Sequence, residues 1–380
     1  MPRKVDCPMG KRADLAQEML ARREPVATIA AKYDLSRTAA YKWKRRFLEH
    51  GRDGMQDQSR RPQHSPNQTA QRVELAVCQR RERHPTWGPE KIHHLLAQEE
   101  LPGLPSLRTV GRILQRQGLT RPHPPAQTEY RRFQWKGPNE LWQLDFKARI
   151  YLSLNPLLRA FPMTLEDDYS RFALSLTANA DHRFPGLWQV LWDTMGEYGM
   201  PGVILTDNDT VFRGHRGGLT QFTAHLLRLG IRHLSGRPYH PQTQGKVERL
   251  HGTIQSDVLQ GRQFGSLQEL QAAFDDFRDL YNHLRPHQAL DLQVPAQRYQ
   301  PGSRPRPEAL PPVQYPAGAE LRKVWESGCL QVRGCRLHIG EGIAGQRVRL
   351  HDRDPLLAVE YAGHILRQIR WDELRKGEWV

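Results

Sequence analysis

Three carboxylates in this 380-residue chain interrupt segments that are otherwise apolar or helical. Asp145 lies inside the alternating run Leu141-Trp142-Gln143-Leu144-Asp145-Phe146. Asp207 follows the apolar stretch Val203-Ile204-Leu205, within Thr206-Asp207-Asn208. Glu248 sits in residues 239–259, where Val247, Leu250, Ile254 and Val258 trace one helical face. Gln244, Glu248, His251 and Gln255 fall off that stripe, so the helix can bury one side and offer Glu248 on the other. Isolated charges near a core are costly unless paired or bound to a metal. Three converging carboxylates would repel one another and raise their pKa values. A pair of Mg²⁺ ions reverses that cost, because Mg²⁺ prefers hard oxygen ligands. Two metals held by shared carboxylates suit phosphodiester cleavage, activating water and stabilising the leaving oxygen. The plainer alternative is that Asp145 and Asp207 cap strand ends and Glu248 is a solvated helix residue.

The surrounding pattern must supply the elements that bring these residues together. Residues 141–146, 161–165 and 172–176 read as strands, the last two joined by Glu166-Asp167-Asp168-Tyr169-Ser170-Arg171. They suggest an antiparallel three-strand meander. A helix is expected over 184–198, with Leu187, Val190, Leu191 and Met195 inward. A short buried strand at 203–205 precedes a glycine-rich insert at 214–218, a helix at 220–229 and a strand at 231–234. Tyr239-His240-Pro241 is a turn into the helix of Glu248, and residues 267–284 form a further amphipathic helix.

Upstream, residues 11–50 read as three short helices. Leu15, Met19 and Leu20 stripe the first, Val26, Ile29, Ala30 and Tyr33 the second, and Ser36 is a good N-cap for the third. Ala40, Trp43 and Phe47 point inward from that third helix, leaving Arg37, Thr38, Tyr41, Lys42 and Arg45 outside. This is a helix-turn-helix arrangement whose last helix enters a major groove. The alternative is a small bundle with a solvated basic face. Residues 69–119 repeat the pattern without repeating the residues. Val73, Leu75 and Val77 lie in a first helix, Pro89 opens a second, and Ser106 caps a third with Arg108, Arg112 and Arg116 outside.

Composition agrees with a polyanionic partner. The chain holds 56 Lys plus Arg against 41 Asp plus Glu, a net charge of +15. No apolar run approaches membrane-span length and no apolar signal region opens the chain, so a soluble, cytoplasmic protein is expected. Cys7, Cys78, Cys329 and Cys335 lack paired zinc spacing and read as small thiols, although Cys329 and Cys335 lie near His338. Proline-rich residues 300–316 precede short alternating strands marked by Gly334, Gly340, Gly342 and Gly363, a pattern that fits a small β-barrel. Arg322, Lys323, Arg333, Arg336, Arg347 and Arg349 make that segment basic.

The core resembles the retroviral-integrase-like catalytic domain of bacterial insertion-sequence transposases of the DDE class. The matching residues are WQLDF at 142–146, DDYSRF at 167–172, TDN at 206–208, HPQTQGKVER at 240–249 and YNHLRPHQAL at 281–290. The resemblance implies a multidomain chain: two all-α helix-turn-helix modules, an α/β RNase H-like core and a C-terminal small β-barrel. Its expected divisions are 1–50 and 69–120 for the two modules, 140–299 for the core and 318–380 for the barrel, with linkers at 51–68, 121–139 and 300–317. It implies that Asp145, Asp207 and Glu248 form a catalytic triad binding two Mg²⁺, with Mn²⁺ able to substitute. It also places His240, Lys246 and Arg249 near the DNA end. Asp167 and Asp168 match no triad position and are expected to hold a turn with Ser170 or Arg171. The implied partners are double-stranded DNA, as element ends and target, and further copies of the chain on that DNA, within the bacterial nucleoid. Two departures stand out. Asp209 occupies a position usually held by glycine, and the Asp207–Glu248 interval (248 − 207 = 41 positions) is slightly long for the family. Aspartate tolerates left-handed backbone angles, and a surface insert absorbs length. The rival readings are a DNA-binding regulator with an inert core and an RNase H-like nuclease without strand transfer.

Overall fold

The computed structural model describes residues 9–57, 68–120, 134–152, 158–236 and 245–373. The chain divides into two compact units, Met1–Gln68 and Thr69–Val380.

In the first unit, α1 (Met9–Ala21), α2 (Val26–Lys32) and α3 (Arg37–His50) enclose Leu15, Met19, Ile29, Ala30, Ala40 and Trp43. The Ser36 hydroxyl caps α3 by accepting the Ala39 N–H at 3.2 Å. Leu20, assigned to the inward stripe, is instead exposed, because Ala16 takes its place against the core. The expected linker at 51 starts later. Residues Gly51–Met55 form a 3₁₀ turn that buries Met55, whose carbonyl accepts from the buried Arg12 guanidinium at 2.9 Å. Gly54 is required there, since a Cβ would lie 2.4 Å from the Arg46 carbonyl oxygen.

The second unit opens with α4 (Gln71–Arg83), α5 (Pro89–Gln98, proline in its first turn) and α6 (Leu107–Arg116) around Val77, Trp87, Ile92, Leu96, Val110 and Ile113. Leu75 points outward, because the buried face of α4 runs through Val73 and Val77 at i, i+4 spacing. Ser106 holds the N-cap position of α6, but its hydroxyl meets the Thr109 hydroxyl at 3.1 Å rather than a backbone N–H.

The core is a mixed sheet between helices. Its strands are β1 (Leu141–Phe146), β2 (Ile150–Tyr151), β3 (Arg159–Asp167), β4 (Ala173–Asn179), β5 (Val203–Thr206) and β6 (Arg232–Ser235). β1, β3 and β4 form the expected antiparallel meander, and β5 and β6 extend it in parallel from the other edge of β1. Alternation along β1 sends Trp142 and Leu144 to one face. There they pack with α7 (Phe184–Tyr198) and α8 (Gln221–Arg228). The opposite face is covered by α9 (Gly245–Ile254), its π-helical continuation Gln255–Leu259, and α10 (Leu267–His283). Gln143 and Asp145, alternating with the apolar pair, belong to this second face.

Residues 300–316 contain no regular element, yet they are bonded along the core rather than free. Met200 N–H donates to the Arg304 carbonyl at 2.7 Å, and Arg228 Nε donates to the Pro311 carbonyl at 2.8 Å. The C-terminal strands are β7 (Leu321–Lys323), β8 (Cys329–Val332), β9 (Cys335–His338), β10 (Arg347–Arg353), β11 (Leu356–Tyr361) and β12 (His364–Arg370). They do not close into the expected barrel. They form an open four-stranded sheet in the order β12-β11-β10-β7 and a separate β8-β9 hairpin. Just past β9 the backbone bonds to the core instead, with Leu219 N–H donating to Ile339 O at 2.8 Å and Gly342 N–H donating to Leu219 O at 2.9 Å.

Candidate active site

Asp145 stands near the end of β1, Asp207 directly after β5, and Glu248 in the first turn of α9. Because β1 and β5 are parallel neighbours, their C-terminal ends deliver both aspartates to one edge of the sheet. Asp145 is largely buried, with 15% of its side chain exposed, while Asp207 is half-buried and Glu248 is exposed. Asp207 is fixed by its neighbour, since its Oδ1 accepts the Asp209 N–H at 3.0 Å. Asp209 in turn accepts the Val211 N–H at 3.0 Å, closing a side-chain turn. It is not among the positive-φ residues, so the turn needs no left-handed conformation at the position where glycine is usual.

Burial and neighbouring carboxylates dominate the electrostatics of this edge of the sheet. Burial pushes the Asp145 carboxyl up to about 7, and the charges of Asp207, Glu248 and Asp209 add to that rise. Asp207 is raised as well, first by burial and then by Asp209. His251, one turn after Glu248, brings Nδ1 within 3.7 Å of Asp145 Oδ2 and Nε2 within 2.9 Å of the Thr164 hydroxyl. Burial and the nearby Lys147 lower this imidazole to about 4, so it is neutral near pH 7 and does not offset the carboxylates. Among the described residues, no cationic Lys or Arg side chain forms an ion pair with the three carboxylates, and no three acidic, His or Cys side chains close into a metal cage. Oxygen donors with uncompensated repulsion fit a hard divalent cation.

The acidic run on β3 behaves as expected of structural residues. Asp167 accepts the Ser170 N–H at 2.8 Å, the Ser170 hydroxyl at 2.6 Å and the Asn139 N–H at 2.7 Å. Asp168 is wholly buried and accepts Trp135 N–H at 2.8 Å and Gln143 Nε2 at 2.6 Å. Its third partner is Lys246, placed near DNA by resemblance, which has 11% of its side chain exposed and sits 2.6 Å from Asp168 Oδ1. Arg249, beyond Glu248, is exposed. His240 lies outside the described residues. Sequence reading listed His251 only as lying off the apolar stripe. Its i, i+3 spacing from Glu248 was the available signal.

Arg37, Thr38, Tyr41, Lys42 and Arg45 are all exposed on α3, and Arg108 and Arg112 are exposed on α6. Cys329 and His338 face each other across the β8-β9 hairpin at 3.7 Å, and His338 Nε2 lies 3.1 Å from the His215 carbonyl oxygen. They join no metal cluster among the described residues.

Comparison with known proteins meets this arrangement at both ends. Residues 229–295 match the integrase core domain family, residues 11–63 a helix-turn-helix domain and residues 39–114 a homeodomain-like domain. The chain therefore carries an integrase core domain behind helix-turn-helix modules. Among proteins, it is 28% identical over 162 residues to the insertion element IS476 uncharacterized 39.2 kDa protein of Xanthomonas euvesicatoria, covering 42% of this chain and 44% of that one. It is 26% identical over 168 residues to the insertion element IS407 uncharacterized 31.7 kDa protein of Burkholderia multivorans, covering 42% and 55%. The Gag-Pro-Pol polyprotein of mouse mammary tumor virus matches at 31% over 121 residues, covering 32% of this chain and 6% of the polyprotein. The chain is thus a relative of insertion-element proteins, and it spans about half the length of the two it matches. Among solved structures, the HTLV-2 integrase catalytic core domain in complex with magnesium aligns with 43% of this chain and 98% of its own at 18% identity, with a TM-score of 0.32.

Proposed function

We propose that this protein is a transposase that binds the terminal inverted repeats of its element, hydrolyses the phosphodiester at each 3′ end and joins the freed 3′-OH to target DNA. The observation that carries this reading is the uncompensated acidic site: Asp145 is pushed up to about 7 by burial and by Asp207, Glu248 and Asp209, on an integrase core. Asp145, Asp207 and Glu248 would hold two divalent ions, Mg²⁺ or in its place Mn²⁺. When bound, such ions supply Lewis-acid activation of the nucleophile and charge stabilisation of the leaving oxygen. The protein groups do the rest. The Thr164 hydroxyl donates to the Asp145 carbonyl at 3.2 Å and meets neutral His251, steadying the strand end. Exposed Arg249 lies beside Glu248, where a phosphate backbone would run. α3 presents Arg37, Thr38, Tyr41, Lys42 and Arg45, and α6 presents Arg108 and Arg112, for the grooves of the element end. No side-chain nucleophile is needed, and work on two DNA ends calls for at least two copies of the chain.

The test uses purified protein, an inverted-repeat duplex and Mg²⁺. Wild type is expected to nick the 3′ end and join strands, and Asp145→Asn is expected to bind the duplex without joining. Binding by wild type without nicking or joining would favour a regulator with an inert core. Nicking without joining would favour a nuclease.

A further inference from the structure

Helix α9 carries Glu248 and is held to the sheet at two points on either side of it. Behind Glu248, His251 Nε2 meets the Thr164 hydroxyl of β3 at 2.9 Å. Ahead of it, Lys246 reaches Asp168 at the far end of β3, with Nζ 2.6 Å from Oδ1 and donating to the Asp168 carbonyl at 3.0 Å. Asp168 is anchored in its own right. Its N–H donates to Leu141 O at 3.0 Å, and its carboxylate also binds Gln143 and Trp135, so it belongs to the same β1–β3 framework that carries Asp145. Glu166 and Arg171 lie close to the pair, and Asp168 is wholly buried, so separating the two would leave a buried carboxylate without its cation.

We propose that Lys246 and Asp168 form a latch that fixes the first turn of α9 and thereby sets Glu248 against Asp145, making Lys246 a positioning residue rather than a DNA contact. This rests on the reading of Glu248 as part of the active site. The first turn of a helix lacks internal partners for its N–H groups and frays most readily. A rigid tie two residues before Glu248 suppresses that fraying. With the His251 tie it also fixes the helix against rotation about its axis. A misplacement of about 1 Å at a reacting group lowers turnover by up to about 10²-fold.

The experiment compares full-length wild type, Lys246→Met, Asp168→Asn and the double variant Lys246→Met/Asp168→Leu. The double variant removes both charges of the pair together. Three quantities are read: amide exchange at 249–252, whose N–H groups bond back to the first-turn carbonyls of α9, the salt dependence of duplex binding, and kcat and KM for strand joining. The latch predicts faster exchange at 249–252 in every variant, an unchanged salt slope, and a joining kcat lowered by about 10–10²-fold at unchanged KM. Lys246→Arg, which retains the ion pair, should restore part of kcat. A salt slope lowered by about one in Lys246→Met would identify a phosphate contact and overturn the latch. So would unaltered exchange in the double variant, or full joining by Asp168→Asn. If wild type joins no strands, the proposed function fails, and the exchange and salt-slope measurements still decide the latch.

Discussion

Two acidic clusters share the central strands of this core, and they are built in opposite ways. Asp145, Asp207, Asp209 and Glu248 gather at the C-terminal ends of β1 and β5, while Glu166, Asp167 and Asp168 gather at the end of β3. Asp145 and Glu166 are both pushed up to about 7 by burial, so the size of the shift does not distinguish them. Their neighbours do. After burial, the next influence on Asp145 is the anion Asp207, whereas on Glu166 it is the cations Arg171 and Lys246. Asp167 and Asp168 are filled with N–H and O–H donors, and Asp207 has one backbone donor. A carboxylate cluster that supplies its own donors is part of the scaffold. Around Asp145 the neighbouring charges are further carboxylates, a repulsion that a divalent cation would offset.

The contrast can be broken most sharply by replacing one member of each cluster. Asp145→Asn or Glu248→Gln should lower strand joining by about 10³-fold or more while duplex binding holds, read in gel assays. Asp168→Ala should do the reverse to stability. It strands Lys246 beneath the sheet and is expected to cost about 3–5 kcal/mol in denaturant unfolding. Acidity supplies the next test. Folded Asp145 and Glu166 hold their protons to higher pH than they would in the unfolded chain. The native state therefore binds more protons between about pH 4 and 7, and stability falls as pH rises through that window. The Asp145 share is on the order of 2–4 kcal/mol. It should vanish in Asp145→Asn and be offset by saturating Mg²⁺, leaving the Glu166 share in place. If Mg²⁺ leaves the whole pH slope untouched, the open cluster does not bind it. The smallest effect is at Asp209→Asn, which removes one like charge and should lower the Asp145 titration midpoint by roughly 0.5 kcal/mol in free-energy terms, followed by NMR.

Much of this was legible because period and charge carry it. The run 141–146 forms the expected strand with its polar alternates on one face, and the helix at 184–198 has its expected bounds. Ser36 announced its cap by residue type. Asp145 was visible because a carboxylate in an apolar strand demands an explanation. What sequence hid was which partner each polar residue meets. Lys246 and Arg249 are both basic and flank Glu248, yet one lies beneath the sheet and the other in solvent. Only the position of Asp168 decides between them. Leu20, placed on the stripe of the first helix, is exposed because a helix stripe fixes which residues share a face, not how wide the buried face is. The closed barrel failed for a related reason. Alternation identifies strands, but it does not say that the backbone past β9 will bond to a loop more than a hundred positions earlier.

That loop is the insert between Asp207 and Glu248, and glycines of the C-terminal segment let it approach closely. A Cβ on Gly340 would lie 2.0 Å from Leu219 N, and one on Gly342 would lie 2.0 Å from the Thr220 carbonyl carbon, so the two backbones meet without side chains between them. Ala224, with Leu219 and Leu227 beside it, shares one apolar cluster with Leu330, Leu337, Val348 and Tyr361. On the ribosome this socket emerges well before its occupant. Since chains emerge N-terminus first, at about 5–20 residues per second, the socket waits several seconds with its apolar surface uncovered. A chain halted before the C-terminal sheet would leave the protein stalled with that surface in water, a ready target for chaperones and for self-association. Completion of the last sheet is therefore also the step that covers this face of α8.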